Sequence, residues 1–210
     1  MDSVRSPSMP PPELLVDYQS PHGLEVTHIR GVLLVNALQN LRGWGLYPRY
    51  EELMPPESLA IISSTIASSW VPMEIAMQYY GVVDALGVSD YQLQQAGEAL
   101  AQRIVDTFLR STLRSGRKEG FESFVAMLTQ HNPRLWERMY QGGGFRLTRY
   151  GASELGLEDR GNPLDTFRMI RVGYQAYMKT LAQLYCDQLN VTQEAPRASD
   201  PQRLATRFRF

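Results

Sequence analysis

The sequence predicts an α+β fold, a helical N-terminal half followed by a β-β-α-β-β C-terminal half packed as one domain. Three observations carry this. Up to about residue 141 the apolar residues recur at helical spacing. The period then switches to two across Phe145–Tyr150 and again across Glu154–Arg160. A long amphipathic stretch and two further alternating runs close the chain. At 210 residues and 43% hydrophobic, the chain is long enough to bury a sizeable core.

Residues 1–23 carry Pro10-Pro11-Pro12 amid Ser and Pro, which cannot be helical and have little to bury. They are predicted to be a flexible Pro-rich arm, either solvated or available to a partner's aromatic groove. The domain is placed at residues 24–210. Glu25–Arg30 alternates and reads as a short strand. Gly31 turns into a helix over about 32–41, with Leu34, Leu38 and Leu41 on one face, ended by Gly43 and Gly45. Pro56 opens a helix reaching Ser68. Pro72 suits the first turn of another, running to Leu86.

Ser89-Asp90-Tyr91-Gln92 has the pattern of a capping box. It opens a helix of about 89–114 whose stripe is Leu93, Ala96, Leu100, Ile104, Phe108 and Leu113. Phe121–Asn132 is the next helix. Pro133 is expected to stop it and start a short helical piece through Trp136 and Tyr140. Gly142-Gly143-Gly144 reads as a hinge between the helical part (24–141) and the ββαββ part (145–210). The hairpin follows, then a helix of about 164–188 capped by Asn162 or Asp165. Strands at Leu189–Gln193 and Leu204–Phe210 finish the chain.

The charge balance excludes several functions. Lys plus Arg is 21 and Asp plus Glu 22, a net charge of -1, so the basic field of a nucleic-acid or anionic-membrane binder is missing. Nineteen of the 21 basic residues are Arg, which is read as codon usage. The run Arg110, Arg114, Arg117, Lys118 is read as a solvated face or an acidic-partner patch. No apolar run approaches the ~20 residues of a membrane span, and the N-terminus lacks a signal-peptide pattern. With a single cysteine, Cys186, the expectation is a cytoplasmic protein without disulfides.

No catalytic residues are identified, and the chain is not expected to be an enzyme. His22, His28 and His131 show no i, i+4 metal pair, so no metal site is expected. Cys186 reads as a buried small hydrophobe. The glycine triplet has no Lys-Ser/Thr after it and precedes a strand, unlike a phosphate loop. The residues singled out are aromatic: Trp70, Tyr79, Tyr80, Trp136, Tyr140, Tyr174 and Tyr177. Their spacing suits a core, an interface or a small-molecule pocket alike.

The hairpin LTRYGASELGLEDRG, the helix FRMIRVGYQAYMKTL and the ending YCDQLNVT…LATRFRF resemble the heme–NO-binding-like and 4-vinyl-reductase-type ligand-binding fold, also seen in TRAPP trafficking subunits. Over about residues 26–194 the chain is also similar to a myxobacterial paralogous family of developmental proteins. That similarity rests on IRGVLL, SSWVPMEIAMQYYGVVDALG, Gly97 and WERMYQGGGFRLTRYG. The resemblance implies a bacterial regulatory or sensing module, often dimeric, with a pocket between helices and sheet. Its heme-binding members use a helical His and a Tyr-x-Ser-x-Arg motif, and its cysteine-rich relatives bind metal or tetrapyrrole-like groups. This chain lacks that motif and has one cysteine, so no cofactor is expected. The reading is a non-catalytic regulatory or protein-interaction module, a homodimer whose partners meet residues 1–23 or an apolar surface. The alternative is a sensor holding a small apolar ligand between the helical part and the sheet.

Overall fold

A computed structural model describes residues 11–106, 120–194 and 203–210. Within them, α-helices α1 (Gly31–Gly43), α2 (Tyr47–Leu53), α3 (Pro56–Ser64), α4 (Met73–Ala85) and α5 (Asp90–Ile104) build the N-terminal half. The helix α6 (Phe121–Met139) leads into the sheet, and α7 (Arg168–Gln183) crosses back over it. Strands β1 (Glu13–Gln19), β5 (Gly144–Gly151), β6 (Glu154–Arg160), β7 (Asn190–Glu194) and β8 (Ala205–Arg209) form an antiparallel sheet in the order β1-β5-β6-β8-β7. A second sheet orders β3 (Trp70–Pro72), β2 (His28–Arg30) and β4 (Tyr140–Gln141). The α+β class and the ββαββ half are therefore as the sequence predicts, with additions from the N-terminus.

The arm is the main correction. The segment Glu13–Gln19 pairs with β5 from Glu13↔Arg149 to Gln19↔Gly144, so order begins well before Leu24. Tyr18 stacks on Phe145 with centroids 5.3 Å apart, and its hydroxyl donates to Glu137 at 3.0 Å. That contact, and Leu15 and Val16 packed on the core, offset the entropy of ordering the segment. Pro10 and the residues before it lie outside the described residues.

The glycine triplet is not a hinge. Gly142 and Gly143 adopt φ of +92° and +64°, which other residues rarely do. A Cβ on Gly142 would come within 1.8 Å of the Glu25 carbonyl oxygen. The Gly142 N–H donates to Ser20 Oγ, and the Gly143 carbonyl accepts from Ser20 N–H and Gln19 Nε2 at 2.9 and 2.8 Å. Val26 N–H donates to the Gly161 carbonyl at 2.7 Å. The triplet is a fastened crossing point where residues 19–26 pass over the sheet's end.

Three helices depart from expectation. The segment Tyr47–Leu53 forms α2, with Pro48 in its first turn and Tyr50 buried against Tyr79. The helix from Pro56 ends at Ser64, and Trp70–Pro72 pairs with β2 instead. Pro133 lies inside a continuous α6. It removes one internal hydrogen bond, but Leu128, Leu135 and Trp136 on either side are buried in the core and hold the helix across it. The capping box at Ser89 and Gln92 is present. The helix it opens is described to Ile104, and Phe108 and Leu113 lie outside the described residues, as does the basic run.

The solvent face of the large sheet carries crossed ion pairs. Asp17 bridges Arg146 and Arg160, Arg203 meets Glu158 at 2.7 Å, and Arg207 meets Glu194 at 2.8 Å and lies 3.5 Å over the Tyr150 ring. The planar guanidinium serves such two-partner geometry better than an ammonium.

The helix α7 has no cap of its own at its N-terminus. Asp84 from α4 supplies one: its Oδ2 accepts from Arg168 N–H at 2.7 Å and its Oδ1 from Met169 N–H at 2.9 Å. A carboxylate at a helix N-terminus satisfies orphan donors and opposes the helix dipole. Asp84→Ala is expected to lower stability by about 1–2 kcal/mol, seen as a thermal midpoint lower by about 3–7 °C. An unchanged midpoint would mean that water replaces this cap without loss.

Candidate functional site

A cavity of about 170 Å³ lies between the helices and the large sheet. α1 contributes Leu33, Asn36 and Asn40, and α5 contributes Leu93, Ala96 and Leu100 along its predicted stripe. Trp136 and Met139 reach it from α6, and Tyr174 and Tyr177 from α7. Tyr80 of α4 and Tyr140 of β4 complete the aromatic wall, and Asp159 of β6 enters from the sheet.

The cavity is positioned by a close helix crossing. α5 and α7 meet at Gly97 and Gly173, both of which line it. A Cβ on Gly97 would fall 2.0 Å from the Gly173 carbonyl oxygen, so only glycine allows this approach. On α6, Trp136 is fixed at both ends of its ring. Its Nε1–H donates to the Gly142 carbonyl at 3.0 Å, and the ring packs on Tyr140 and Phe145 at 4.7 and 5.9 Å. Tyr174 and Tyr177 sit one turn apart with centroids at 5.9 Å.

Five of the seven aromatics singled out from the sequence thus converge on one space: Tyr80, Trp136, Tyr140, Tyr174 and Tyr177. The other two lie elsewhere. Tyr79 is fully buried between Tyr50 and Tyr80, a core residue. Its outward turn on α4 is taken up by α2, which the sequence reading did not include. Trp70 sits in the small sheet under Arg30, whose guanidinium is 4.5 Å from the ring centroid.

The carboxyls were missed. Asp159 occupies the inward register of β6 with Leu155 and Leu157, and is 4% exposed. Asp165, in the 3-10 turn Pro163–Thr166, is 1% exposed, and both its side-chain oxygens lack a hydrogen-bond partner. Burial, with the Glu158 charge adding to it, pushes the Asp159 carboxyl up to about 8. Burial raises Asp165 well above the carboxylate range, the Asp159 charge raises it further, and Arg171 opposes. Burial raises the Tyr140 and Tyr174 hydroxyls, and the Asp159 charge adds to both. Strict alternation over Glu154–Arg160 was the available signal, because it puts Asp159 on the same face as two buried leucines.

Other candidates are dispersed. His28 is on β2, beside Thr27. His131 lies within α6, with Nε2 buried and unpartnered, and is not among the lining residues. Cys186 is half-buried, not a core residue, and its thiol is 3.5 Å from the Gln188 carbonyl. No described helix is long and apolar enough to cross a membrane.

No protein-family model matches the chain, and no curated protein matches it. Solved structures do. The Fe(II) unliganded H-NOX protein from K. algicida aligns over 86% of this chain and 96% of its own, with a TM-score of 0.61 and 10% identity. A mutant of that K. algicida protein aligns over the same shares with the same TM-score and 13% identity. A mutant of T. Tengcongensis H-NOX covers 87% of this chain and 97% of its own, with a TM-score of 0.56 and 12% identity. At such identities the likeness establishes a fold, and the fold is that of H-NOX domains.

Proposed function

We propose that this chain is a sensor-type binding module whose ligand is a small, largely aromatic molecule held in the cavity between α5, α6, α7 and the sheet. The observation that carries the reading is the space itself, about 170 Å³ walled by Trp136, Tyr80, Tyr140, Tyr174 and Tyr177. A buried apolar cavity near 150 Å³ binds benzene, and aromatic walls with few polar groups are the usual make-up of ligand pockets. This favours the sensor over the interaction module as the first role. A part in bacterial signalling or development, as the resemblance implies, fits a ligand read through the α5–α7 contact.

The fold implies heme, and heme distortion is the subject of one H-NOX structure. The donors here do not fit it. Among the described residues, those lining the cavity include no His, Cys, Lys or Arg, so the imidazole and thiolate ligands and the propionate-binding cations are missing, and the axial donors left are the tyrosines and Met139 and Met169. Asp159 faces it instead, a carboxyl that offers a propionate no cation. The volume lies below the range of about 300–1,000 Å³ usual for larger ligands.

Titration with benzyl alcohol by calorimetry tests the reading. Binding is expected to saturate at one ligand per chain, and to be lost in Ala96→Phe, which fills the space from α5 while the fold is retained by circular dichroism. Saturation unaffected by that substitution would place the ligand elsewhere. Titration with hemin is expected to give no stoichiometric Soret band. A stoichiometric band would overturn the exclusion of heme. Native mass spectra of the same material are expected to show the homodimer, and a spectrum of monomer alone would contradict that expectation.

A further inference from the structure

We infer that the ligand of this cavity is a compact aromatic ammonium, its cation held by the Asp159 carboxylate within the rings of Trp136, Tyr140, Tyr174 and Tyr177. The inference rests on the binding role proposed above and specifies its chemistry. Three observations point to a cation. Asp159 is the ionisable carboxyl among the lining residues, and no described Lys, Arg or His accompanies it there. Around it stand Tyr140, Tyr174 and Tyr177, whose hydroxyls feel its charge and whose rings are electron-rich groups of the kind that attract ammonium ions, more strongly when water is excluded. Behind it, the buried Asp165 has two oxygens with no partner, so this corner already holds more acceptor capacity than the chain satisfies.

A buried carboxyl without a cation keeps its proton. Asp159 interacts with Asp165 on the 3-10 turn, Tyr140 on β4, and Tyr174 and Tyr177 on α7; Glu158, its neighbour on the opposite face of β6, adds its charge, and Arg171 of α7 acts on Asp165. Arg171 is the cation in that set. An entering ammonium therefore meets a protonated Asp159 at neutral pH and displaces its proton to solvent. The ammonium keeps its own three protons, and a carboxylate–ammonium pair forms where a carboxylic acid stood. Such binding releases one proton. Below about pH 8 its affinity rises about tenfold per pH unit, because the released proton is a product of the equilibrium.

Benzylamine and benzyl alcohol make the test, being nearly isosteric and differing in charge. Calorimetry at pH 6, 7 and 8 is expected to give at least tenfold tighter binding for benzylamine at pH 8. Benzylamine affinity should fall steeply toward pH 6, with proton release visible as a buffer-dependent enthalpy, while benzyl alcohol affinity stays level. Asp159→Asn should abolish the preference, bringing benzylamine affinity down to that of benzyl alcohol. Equal affinities in the unaltered chain, or a preference that survives Asp159→Asn, would overturn the inference and leave the cavity's binding role standing. Tighter binding of the neutral acceptor acetophenone than of benzylamine would overturn it too, by showing that Asp159 serves as a hydrogen-bond donor. Binding of none of the three would defeat the binding role itself.

Discussion

Asp159→Asn is expected to make the unliganded protein more stable at pH 8 and to flatten the dependence of its stability on pH. Burial moves this carboxyl from 3.8 to about 8 on folding. Between those values the folded chain holds a proton that the unfolded chain has released. Asp159's contribution to stability is therefore fully present below about pH 4, falls as pH rises through the interval, and is level above about 8. Asparagine has the same shape and no proton to lose. The stability difference between the two proteins should thus be small at pH 4.5 and reach the order of 2–5 kcal/mol at pH 8. In thermal midpoints that is about 5–15 °C for a chain of this size. Melts across pH 4.5–8.5 check it, and a difference that stays constant over the range would show that Asp159 does not carry the shift. Such a cost, retained on a strand face that Leu155 and Leu157 otherwise fill, is what a binding site imposes on a fold.

Gly97→Ala should be the most damaging single methyl group that can be added to α5. Its Cβ would meet the Gly173 carbonyl oxygen at 2.0 Å and the carbonyl carbon at 2.9 Å, all backbone, so the helices must separate. Overpacking of this kind costs about 1–3 kcal/mol and at times more. Because both partners are rigid helices that also wall the cavity, the upper end is expected, a midpoint lowered by about 6–12 °C. The reciprocal substitution supplies the control. A Cβ on Gly173 meets its nearest atom, the Leu93 carbonyl oxygen, at an ordinary 3.6 Å. Gly173→Ala should stay within about 1 kcal/mol of the original, helped by alanine's better helix propensity. Equal losses for the two would contradict the crossing geometry. Gly97→Ala should also weaken benzyl alcohol binding, since the walls of the site move apart.

The elements readable in the sequence were those whose signal is local. The β5–β6 hairpin declares itself by a change of period, and α5 by the side chains of Ser89 and Gln92. The helix α7 shows in its stripe of Tyr174, Tyr177, Met178 and Leu181. What escaped depends on partners distant along the chain. β1 is ordered by β5, more than a hundred residues away, and the three-residue β3 exists only because it pairs with β2, the strand that the alternation of Glu25–Arg30 did show. Pro133 carries a local breaking signal that tertiary packing overrides. For the site, aromatic residue types pointed to five of its walls without saying that they share a space. The acidic corner went unread because Asp159, flanked by Glu158 and Arg160, looks like part of a solvated charged run until the register of β6 is applied.

The cavity between α5, α6, α7 and the sheet is the centre of this account, and a bromine atom can report on it directly. Crystals of the protein exposed to bromobenzene, measured at the bromine absorption edge, should show one anomalous peak per chain within the space bounded by Trp136, Tyr174 and Leu100. Peaks confined to the molecular surface, with that space closed by its own side chains, would contradict the account.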